Sequence, residues 1–238
     1  MLQGATTNEF EYYIAVFHWV YDIYDKACTK LREACVNSGN EEFKAAYNEY
    51  VQALKDLGVE DDKIDHEFAS DKALEFINTY QAECQSKNGK DGYAYAFDIG
   101  YDGDYITLGA AHAVDCHYLF GNFDGNHAKG NKAEVDASRT FQRMISNFCK
   151  NGDPSTDKVK WDKYNSNSRT KMILREEDFH QINNYQGARV DALCKMSKSS
   201  DVFRYAGRMG DLINAVAEDD PESFFYLILG ELIAQNSK

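Results

Sequence analysis

A chain of 238 residues that is 43% hydrophobic and 13% aromatic can bury a sizeable core, which excludes an intrinsically disordered chain. Its 26 Lys and Arg residues against 39 Asp and Glu residues give a formal net charge of −13, which argues against nucleic acids and anionic membrane surfaces as partners. No apolar run approaches the roughly 20 residues that span a bilayer, and the sequence start lacks the basic and apolar regions of a signal peptide. The composition therefore predicts one globular domain, or part of a larger one, and leaves the compartment open.

The first 92 residues are predicted to form three helices. Apolar residues that recur every three or four positions predict one long helix from residue 8 to about residue 35. Asn40, followed by two glutamates, is typical of an N-cap and an acidic first turn, and this second helix should close at Gly58. The pair at 70–71 is expected to open a third helix, which the turn-rich stretch 88–92 ends.

The second half of the chain begins with a change of pattern. Aromatic residues alternate with small ones over 93–98, which predicts a strand. Residues 98–132 are glycine-rich and aperiodic, and they predict a long loop with a short helical turn at most. A fourth helix is expected with an apolar face from Phe141 to Phe148, and the Gly and Pro within 151–154 should end it. The remaining predictions are a short strand at 171–175 and helices in two or three pieces over 187–234.

Three segments of the sequence, in a fixed order, match the motifs of one known family. Residues 109–122 contain Gly-Ala-Ala-His, with an acidic residue three positions after the histidine and a Phe-Gly pair further on. Residues 147–154 read Asn-Phe-Cys-Lys-Asn-Gly-Asp-Pro and precede a Trp-x-x-Tyr pair at 161–164, while residues 4–9 place a glutamate five positions after a glycine. These motifs resemble those of the type-B carboxylesterases and cover roughly residues 2–194.

The resemblance implies an α/β-hydrolase fold and hydrolysis of small carboxylic esters by a serine, an acidic residue and a histidine. Two of these three roles fall on residues of this chain. Glu9, on a loop after a strand, would be the acid that orients the imidazole of His112, and His112, on the loop after the strand at 93–98, would be the general base. Asp115 matches the family's second acidic residue near the histidine and would support it. The implied reaction uses no cofactor and no metal.

The serine of this machinery is not visible in the sequence. None of the thirteen serines lies in a Gly-x-Ser-x-Gly frame, and no glycine run resembles an oxyanion hole. In the resembled family both elements precede the acid loop, and Met1 falls just before that loop. We therefore expect residues 1–194 to be the C-terminal part of a carboxylesterase domain with an α/β-hydrolase fold, mostly helical with a few strands. Residues 195–238 are expected to be a helical C-terminal extension.

Other interpretations of the same residues stay open. Taken alone, Glu9 is an ordinary glutamate in the first turn of a helix, where the helix dipole favours it. His112, Asp115, Cys116 and His117 contain metal-ligating groups, although no second pair of ligands follows at the spacing of a zinc site. The six cysteines form no Cys-x-x-Cys pair, and we assign no disulfide.

Two functions of different classes follow from the sequence. The first is an ester hydrolase portion that supplies Glu9 and His112, with the nucleophile expected from a separate or missing N-terminal part such as a complementary chain. The second is a catalytically inactive, truncated esterase portion that self-associates and acts as a binding or structural unit, since a cut at Met1 would leave an exposed sheet edge. A co-purifying polypeptide with a Gly-x-Ser-x-Gly sequence would favour the first function.

Overall fold

The computed structural model describes residues 1–9, 28–29, 31–33, 35–102, 107–123 and 128–199. These residues divide into two compact units, of which the first holds the described residues up to 9 together with those from 78 to 185. The second unit holds the described residues from 28 to 77 and from 186 to 199. Most of the predicted first helix, and every prediction beyond residue 199, therefore lies outside the described residues. Among the described residues, we find no helix with the length and hydrophobicity that a membrane span requires.

The first unit is built on a small mixed β-sheet, and both units contain helices. The described elements, in chain order, are β1 (Leu2–Thr6), α1 (Glu41–Asp56), α2 (Ile64–Ser70), a π-helical turn (Asp71–Glu75), α3 (Phe76–Lys87), β2 (Tyr93–Phe97), β3 (Tyr101–Asp102), β4 (Thr107–Leu108), α4 (Val114–Phe120), α5 (Lys132–Asn151), β5 (Lys171–Leu174), β6 (Phe179–Ile182) and α6 (Gly187–Ser199). The sheet order is β1-β2-β5-β6, with the first two pairings parallel and the last antiparallel. Strands β3 and β4 form a separate antiparallel pair.

Alternating large and small residues on β2 decide how the sheet is covered. Successive side chains of a strand point to opposite faces. The aromatic residues Tyr93, Tyr95 and Phe97 therefore share one face, where they join a core formed largely with residues of α4 and α5. On the other face, Ala94 packs in a smaller cluster with Ala82 of α3 and Tyr164. The sheet of the first unit is thus covered by helices on both faces, as an α/β layer requires.

Several predicted helix ends are confirmed. The side chain of Asn40 accepts a hydrogen bond from the backbone N–H of Phe43 at 3.0 Å, so it caps α1 as the sequence pattern predicts. That helix ends just before Gly58, whose φ of 84° is left-handed. The fourth predicted helix is α5, and it ends at Asn151 with Gly152 in the left-handed conformation as its C-cap. Short-range capping chemistry therefore fixes these boundaries.

The second unit contains a buried ionic cluster that overrides one local prediction. Ser70 and Asp71 do not open a helix, because the chain is already helical from Ile64. Asp71 does not cap the helix. Its two carboxylate oxygens instead accept hydrogen bonds from Arg189 of α6 at 2.6 and 2.8 Å, and its Oδ2 also accepts one from the Tyr50 hydroxyl at 2.8 Å. These tertiary contacts hold the aspartate inside the helical segment, and helix α6 packs along α1.

Two further predictions need correction, and one strand was not predicted. The segment 98–132, expected as a loop with one helical turn at most, contains the β3–β4 pair and the seven-residue helix α4. Residues 8 and 9, expected as the start of the first helix, lie in a turn that follows β1. The sequence of the short strand β6 lacks the alternation of apolar and polar residues that would predict a strand. It is a strand because it pairs with the edge of β5. The strand expected before Glu9 from the family resemblance is present as β1.

Candidate active site

The first candidate residue, Glu9, sits in a turn that folds back onto the end of β1. Backbone N–H groups anchor this turn: Thr7 donates to Phe97 O at 3.0 Å, and Asn8 donates to Ala110 O at 2.9 Å. The backbone N–H of Thr6 donates to Glu9 Oε1 at 2.9 Å. Glu9 is only 7% exposed, so this hydrogen bond compensates part of the cost of burying its carboxylate. One carboxylate oxygen is therefore committed to the backbone at the strand end.

The second candidate residue, His112, lies on the short segment that joins β4 to α4. Its backbone N–H donates to Glu9 O at 3.2 Å, which ties this segment to the Glu9 turn. Gly109 allows the two segments to approach, because a Cβ at that position would lie 2.6 Å from Asn8 Oδ1. Immediately after the histidine, Ala113 has a left-handed φ of 65°, a conformation that costs a non-glycine residue about 1 kcal/mol or more. The backbone around His112 is thus held in place by specific contacts.

The two candidate residues meet through their side chains. The distance from His112 Nδ1 to Glu9 Oε2 is 2.7 Å, within hydrogen-bonding range. The Glu9 side chain is 9% exposed and the imidazole 36%, so the pair is closed on the carboxylate side and open on the imidazole side. The hydrogen bond to Glu9 raises the pKa of His112 above its ordinary value of 6.5, although partial burial opposes this effect. A proton on Nδ1 is thereby favoured, and Nε2 is the ring nitrogen that would accept a further proton.

The third candidate residue, Asp115, lies in the first turn of α4. Its Oδ2 accepts a hydrogen bond from the Tyr95 hydroxyl at 3.0 Å. Burial raises the pKa of Asp115, while the Tyr95 hydrogen bond lowers it. The charge of Asp115 also contributes to the raised pKa of His112. Asp115 thus acts on the pair electrostatically, and its carboxylate is hydrogen-bonded to Tyr95 of β2 and to the adjacent Cys116.

A supporting network beside the site was not predicted. Asp98, directly after β2, accepts hydrogen bonds from the Thr7 hydroxyl at 2.8 Å and from Arg175 Nε at 2.6 Å. Its backbone N–H donates to Leu174 O at 2.9 Å. These contacts join the ends of β1, β2 and β5 next to the Glu9 turn. The sequence does contain a signal for this network, since a polar or charged residue directly follows each of the three strands. Recognising it requires knowing that these strands are neighbours in the sheet.

The alternative metal site gains no support from the positions of its residues. His112 contacts Glu9, Asp115 contacts Tyr95, and Cys116 is exposed. In the part of the chain that the structure describes, no group of three or more His, Cys, Asp or Glu side chains is arranged to hold a metal ion. The side chains brought together here are an acid and a base.

Glu9, in the turn after β1, and His112, in the segment between β4 and α4, thus lie in contact beside a sheet that helices cover on both faces. The carboxylesterase family model matches residues 1–193. The chain belongs to the carboxylesterase family. A para-nitrobenzyl esterase of Bacillus subtilis (strain 168) is 37% identical over 73 residues, which cover 29% of this chain and 15% of that protein.

Solved structures of esterases have the same fold. A PNB esterase is similar with a TM-score of 0.54 and 21% identity, over 80% of this chain and 37% of that chain. A Geobacillus stearothermophilus carboxylesterase at pH 6.2 is similar with a TM-score of 0.56 and 17% identity, over 80% of this chain and 39% of that chain. The predicted α/β-hydrolase portion is thereby confirmed. The chain spans less than two fifths of the length of these relatives, and the domain boundary after residue 194 stays a prediction.

Proposed function

We propose that this chain supplies the acid and the general base of a serine carboxylesterase, with Glu9 and His112 in these roles. The nucleophilic serine and the oxyanion hole would come from another polypeptide or from a preceding segment of a longer chain. The substrates would be uncharged carboxylic esters. The observation that carries the proposal is the 2.7 Å contact between His112 Nδ1 and Glu9 Oε2.

The surroundings of the pair support these roles. Each Glu9 oxygen has its own donor, since Oε1 faces the Thr6 backbone N–H and Oε2 faces the imidazole. The carboxylate is therefore fixed in a single orientation, and it can stabilise the positive charge that the imidazole acquires during the reaction. The imidazole is more exposed than the carboxylate, so it can reach a serine supplied from outside the described residues.

The chemistry follows from this orientation. His112 Nε2 would remove the proton from the serine hydroxyl as the serine oxygen attacks the ester carbonyl. The imidazolium, stabilised by Glu9, would then give that proton to the leaving alkoxide. Water would then attack the carbonyl of the acyl-serine while His112 Nε2 removes its proton. The imidazolium would give that proton to the departing serine oxygen, which releases the carboxylic acid and regenerates the serine. Asp115 would favour the imidazolium through its nearby charge. The proton transfers and the covalent step need neither a metal nor an organic cofactor.

The test is to purify this chain together with the part that supplies the serine, which we call the completed enzyme, and then to replace the proposed base His112. An affinity-tagged chain is expressed in its native host, purified gently, and assayed on p-nitrophenyl acetate. A fluorophosphonate probe identifies any reactive serine that co-purifies. We expect turnover and labelling together, with the label on a Gly-x-Ser-x-Gly serine, and we expect His112→Ala to reduce kcat by at least about 10³-fold.

A second histidine offers a matched control. His180 Nδ1 lies 2.9 Å from Asp178 Oδ2, so the chain contains another histidine beside a carboxylate. It lies on β6, at the end of the sheet opposite β1. His180→Ala should keep wild-type turnover. Near wild-type turnover in the His112→Ala complex would contradict the proposed base.

The sheet topology favours one second candidate, a unit that binds another chain without catalysis. Among the described strands, β1 lies at the end of the sheet. Thr7 N donates to Phe97 O and Tyr93 N donates to Met1 O, so odd-numbered residues of this segment point their polar groups toward β2. In a parallel ladder the even-numbered residues, such as Gly4, then point theirs the other way. Self-association or pairing of this chain without any fluorophosphonate-reactive serine would favour this function over the first.

A further inference from the structure

We propose that Tyr95 is a positioning residue of this site: its hydroxyl fixes the Asp115 carboxylate and the start of α4 against β2, so that a second negative charge stays near His112. The link from Tyr95 through Asp115 to the pKa of His112 involves only residues of this chain, and it needs no serine from elsewhere. Its consequence for turnover rests on the proposed function.

The ring of Tyr95 is held on several sides, which fixes the direction of its hydroxyl. It packs on Gly4 of the neighbouring strand, where an added Cβ would clash with the ring. Its centroid lies 5.7 Å from that of Phe141 and 6.3 Å from that of Trp161, both in edge-to-face geometry. From this position the hydroxyl donates to Asp115 Oδ2 at 3.0 Å.

The hydrogen bond between Tyr95 and Asp115 lies at the start of α4, which has no side-chain cap. Helix α4 has only seven residues, and its N-cap residue, Ala113, is left-handed and provides no side-chain cap. A cap of this kind is ordinarily worth about 1 kcal/mol, so its absence leaves the first turn dependent on other contacts. Asp115 lies in that turn, three residues after His112. The Tyr95 hydroxyl therefore anchors the downstream side of the His112 segment, while Glu9 anchors the histidine itself.

The charges around Asp115 determine the direction in which the pKa of His112 should change. The charged and titratable groups that affect Asp115 are Tyr95 of β2, Glu9 of the turn after β1, and its own neighbours His112 and Cys116. Burial and the Glu9 charge raise the pKa of Asp115, whereas the Tyr95 hydroxyl lowers it. Without that hydroxyl, Asp115 would hold its proton to a higher pH. His112 would then lose part of the negative charge that raises its pKa.

The experiment is an NMR titration of the full chain. Six histidines are present, and the His112 signal is assigned by its loss in His112→Ala. Tyr95→Phe removes only the hydroxyl and should lower the midpoint of the His112 titration below that of the wild type. Asp115→Asn should lower it in the same direction. In the Asp115→Asn background, Tyr95→Phe should cause no further shift, because the two residues act through one contact.

Tyr93→Phe is the matched control. Tyr93 lies on the same strand and the same face, packs against Phe148 and Trp161, and has no effect on His112 among the interactions that set its pKa. It should leave the His112 titration unchanged. An unchanged midpoint in Tyr95→Phe, or an equal shift in the presence and absence of the Asp115 carboxylate, overturns the proposal. If Tyr95→Phe does not fold, Asp115→Asn decides alone, and an unchanged His112 midpoint there also overturns it.

The titration and the activity assay can fail separately. The titration needs no serine and no substrate, so it tests the link between Tyr95 and His112 even if the chain never takes part in ester hydrolysis. The kcat of His112→Ala in the completed enzyme tests the proposed function without reference to Tyr95. In that enzyme, Tyr95→Phe should shift the acid limb of the kcat profile to lower pH, in the same direction as the NMR midpoint.

Discussion

Two buried carboxylates, one in each unit, form similar contacts with different basic partners. Glu9 is 7% exposed and lies 2.7 Å from a histidine nitrogen. Asp71 is 2% exposed and accepts two hydrogen bonds from Arg189 at 2.6 and 2.8 Å. The Arg189 side chain is only 6% exposed, whereas the imidazole of His112 is 36% exposed.

The difference between the partners separates a structural pair from a reactive one. A guanidinium stays charged at any ordinary pH and binds a carboxylate with two parallel hydrogen bonds, so Arg189 fixes Asp71 permanently. An imidazole gains and loses a proton near neutral pH, and His112 is exposed enough to exchange that proton with another group. Burial of a charged pair therefore does not by itself indicate a functional site. The partner's protonation chemistry and its access to solvent do.

The largest effect is expected from neutralising the Glu9 end of the reactive pair. Glutamine has one acceptor oxygen where Glu9 uses two, so in Glu9→Gln either the Thr6 backbone N–H or the imidazole faces an NH₂ group. An NH₂ group that faces the imidazole donates to Nδ1 and favours the tautomer with its proton on Nε2, which cannot accept the serine proton. In the completed enzyme, kcat should fall by about 10⁴-fold, and its acid limb should move to lower pH because the pKa of His112 is no longer raised. Steady-state kinetics across pH measures both effects.

A matched control for this variant is Asp178→Asn, which neutralises the carboxylate beside His180. Its kcat and pH profile should equal those of the wild type. If Glu9→Gln kept its turnover, Glu9 would be a structural carboxylate like Asp71, and the comparison between the two pairs would collapse.

The next effect concerns the structural pair. Arg189→Met leaves the carboxylates of Asp71 and Glu67 without their guanidinium, and breaking a buried pair in this way costs about 3–5 kcal/mol. Urea unfolding should report a loss of this size. The exposed pair between Arg143 and Asp157 is the control, since Arg143→Met should cost less than about 1 kcal/mol. Adding Asp71→Leu to Arg189→Met should recover part of the loss, because it removes an unpaired buried charge.

The sequence predicted the local features of the fold well and the long-range ones poorly. The cap at Asn40 and the helix end at Gly152 depend on a few adjacent residues, so the sequence specifies them directly. The true extent of the helix around Asp71 depends on Arg189, which is distant in the sequence, and no local pattern records that contact. Strand β6 likewise depends on the edge of β5. Contacts of this kind become predictable only when the strand and helix neighbours are known.

In the candidate site, too, residues within local motifs were predicted, whereas residues that act through distant partners were not. Glu9, His112 and Asp115 were predicted because their motifs match a family, and the structure brings the first two together while their catalytic roles stay a proposal. Tyr95 was interpreted only as one of the alternating aromatic residues of a strand. Asp98, beside the site, lay at the end of that strand without an assigned role. Both act through partners on other elements, which explains why the sequence did not reveal them.

A smaller effect is expected from closing the space between the two site segments. In Gly109→Ala the new Cβ would lie 2.6 Å from Asn8 Oδ1, so the Glu9 turn must shift. We expect a loss of about 1–3 kcal/mol in the free energy of unfolding and a lower His112 titration midpoint, because the Glu9 contact is stretched. Gly39→Ala is the control, since no atom of the described residues lies within 4 Å of the position that its methyl group would take. A normal His112 midpoint in Gly109→Ala would show that the pair does not depend on this close approach.

The smallest effect is the pH dependence of stability, and it distinguishes the two pairs directly. Glu9 raises the pKa of His112 in the folded chain, so the pair's contribution to stability is fully present below pH 6.5 and is lost as pH rises through the raised folded value. The imidazole is more than a third exposed, so solvent screening should keep this contribution below about 1 kcal/mol. Urea unfolding at about pH 5.5 and about pH 9 should therefore show a wild-type advantage over His112→Gln that disappears at the higher pH. The cost of Arg189→Met should be equal at both pH values, because the guanidinium stays charged throughout. A wild-type advantage over His112→Gln that persists at the higher pH would mean that the histidine contributes by packing, as a structural residue does.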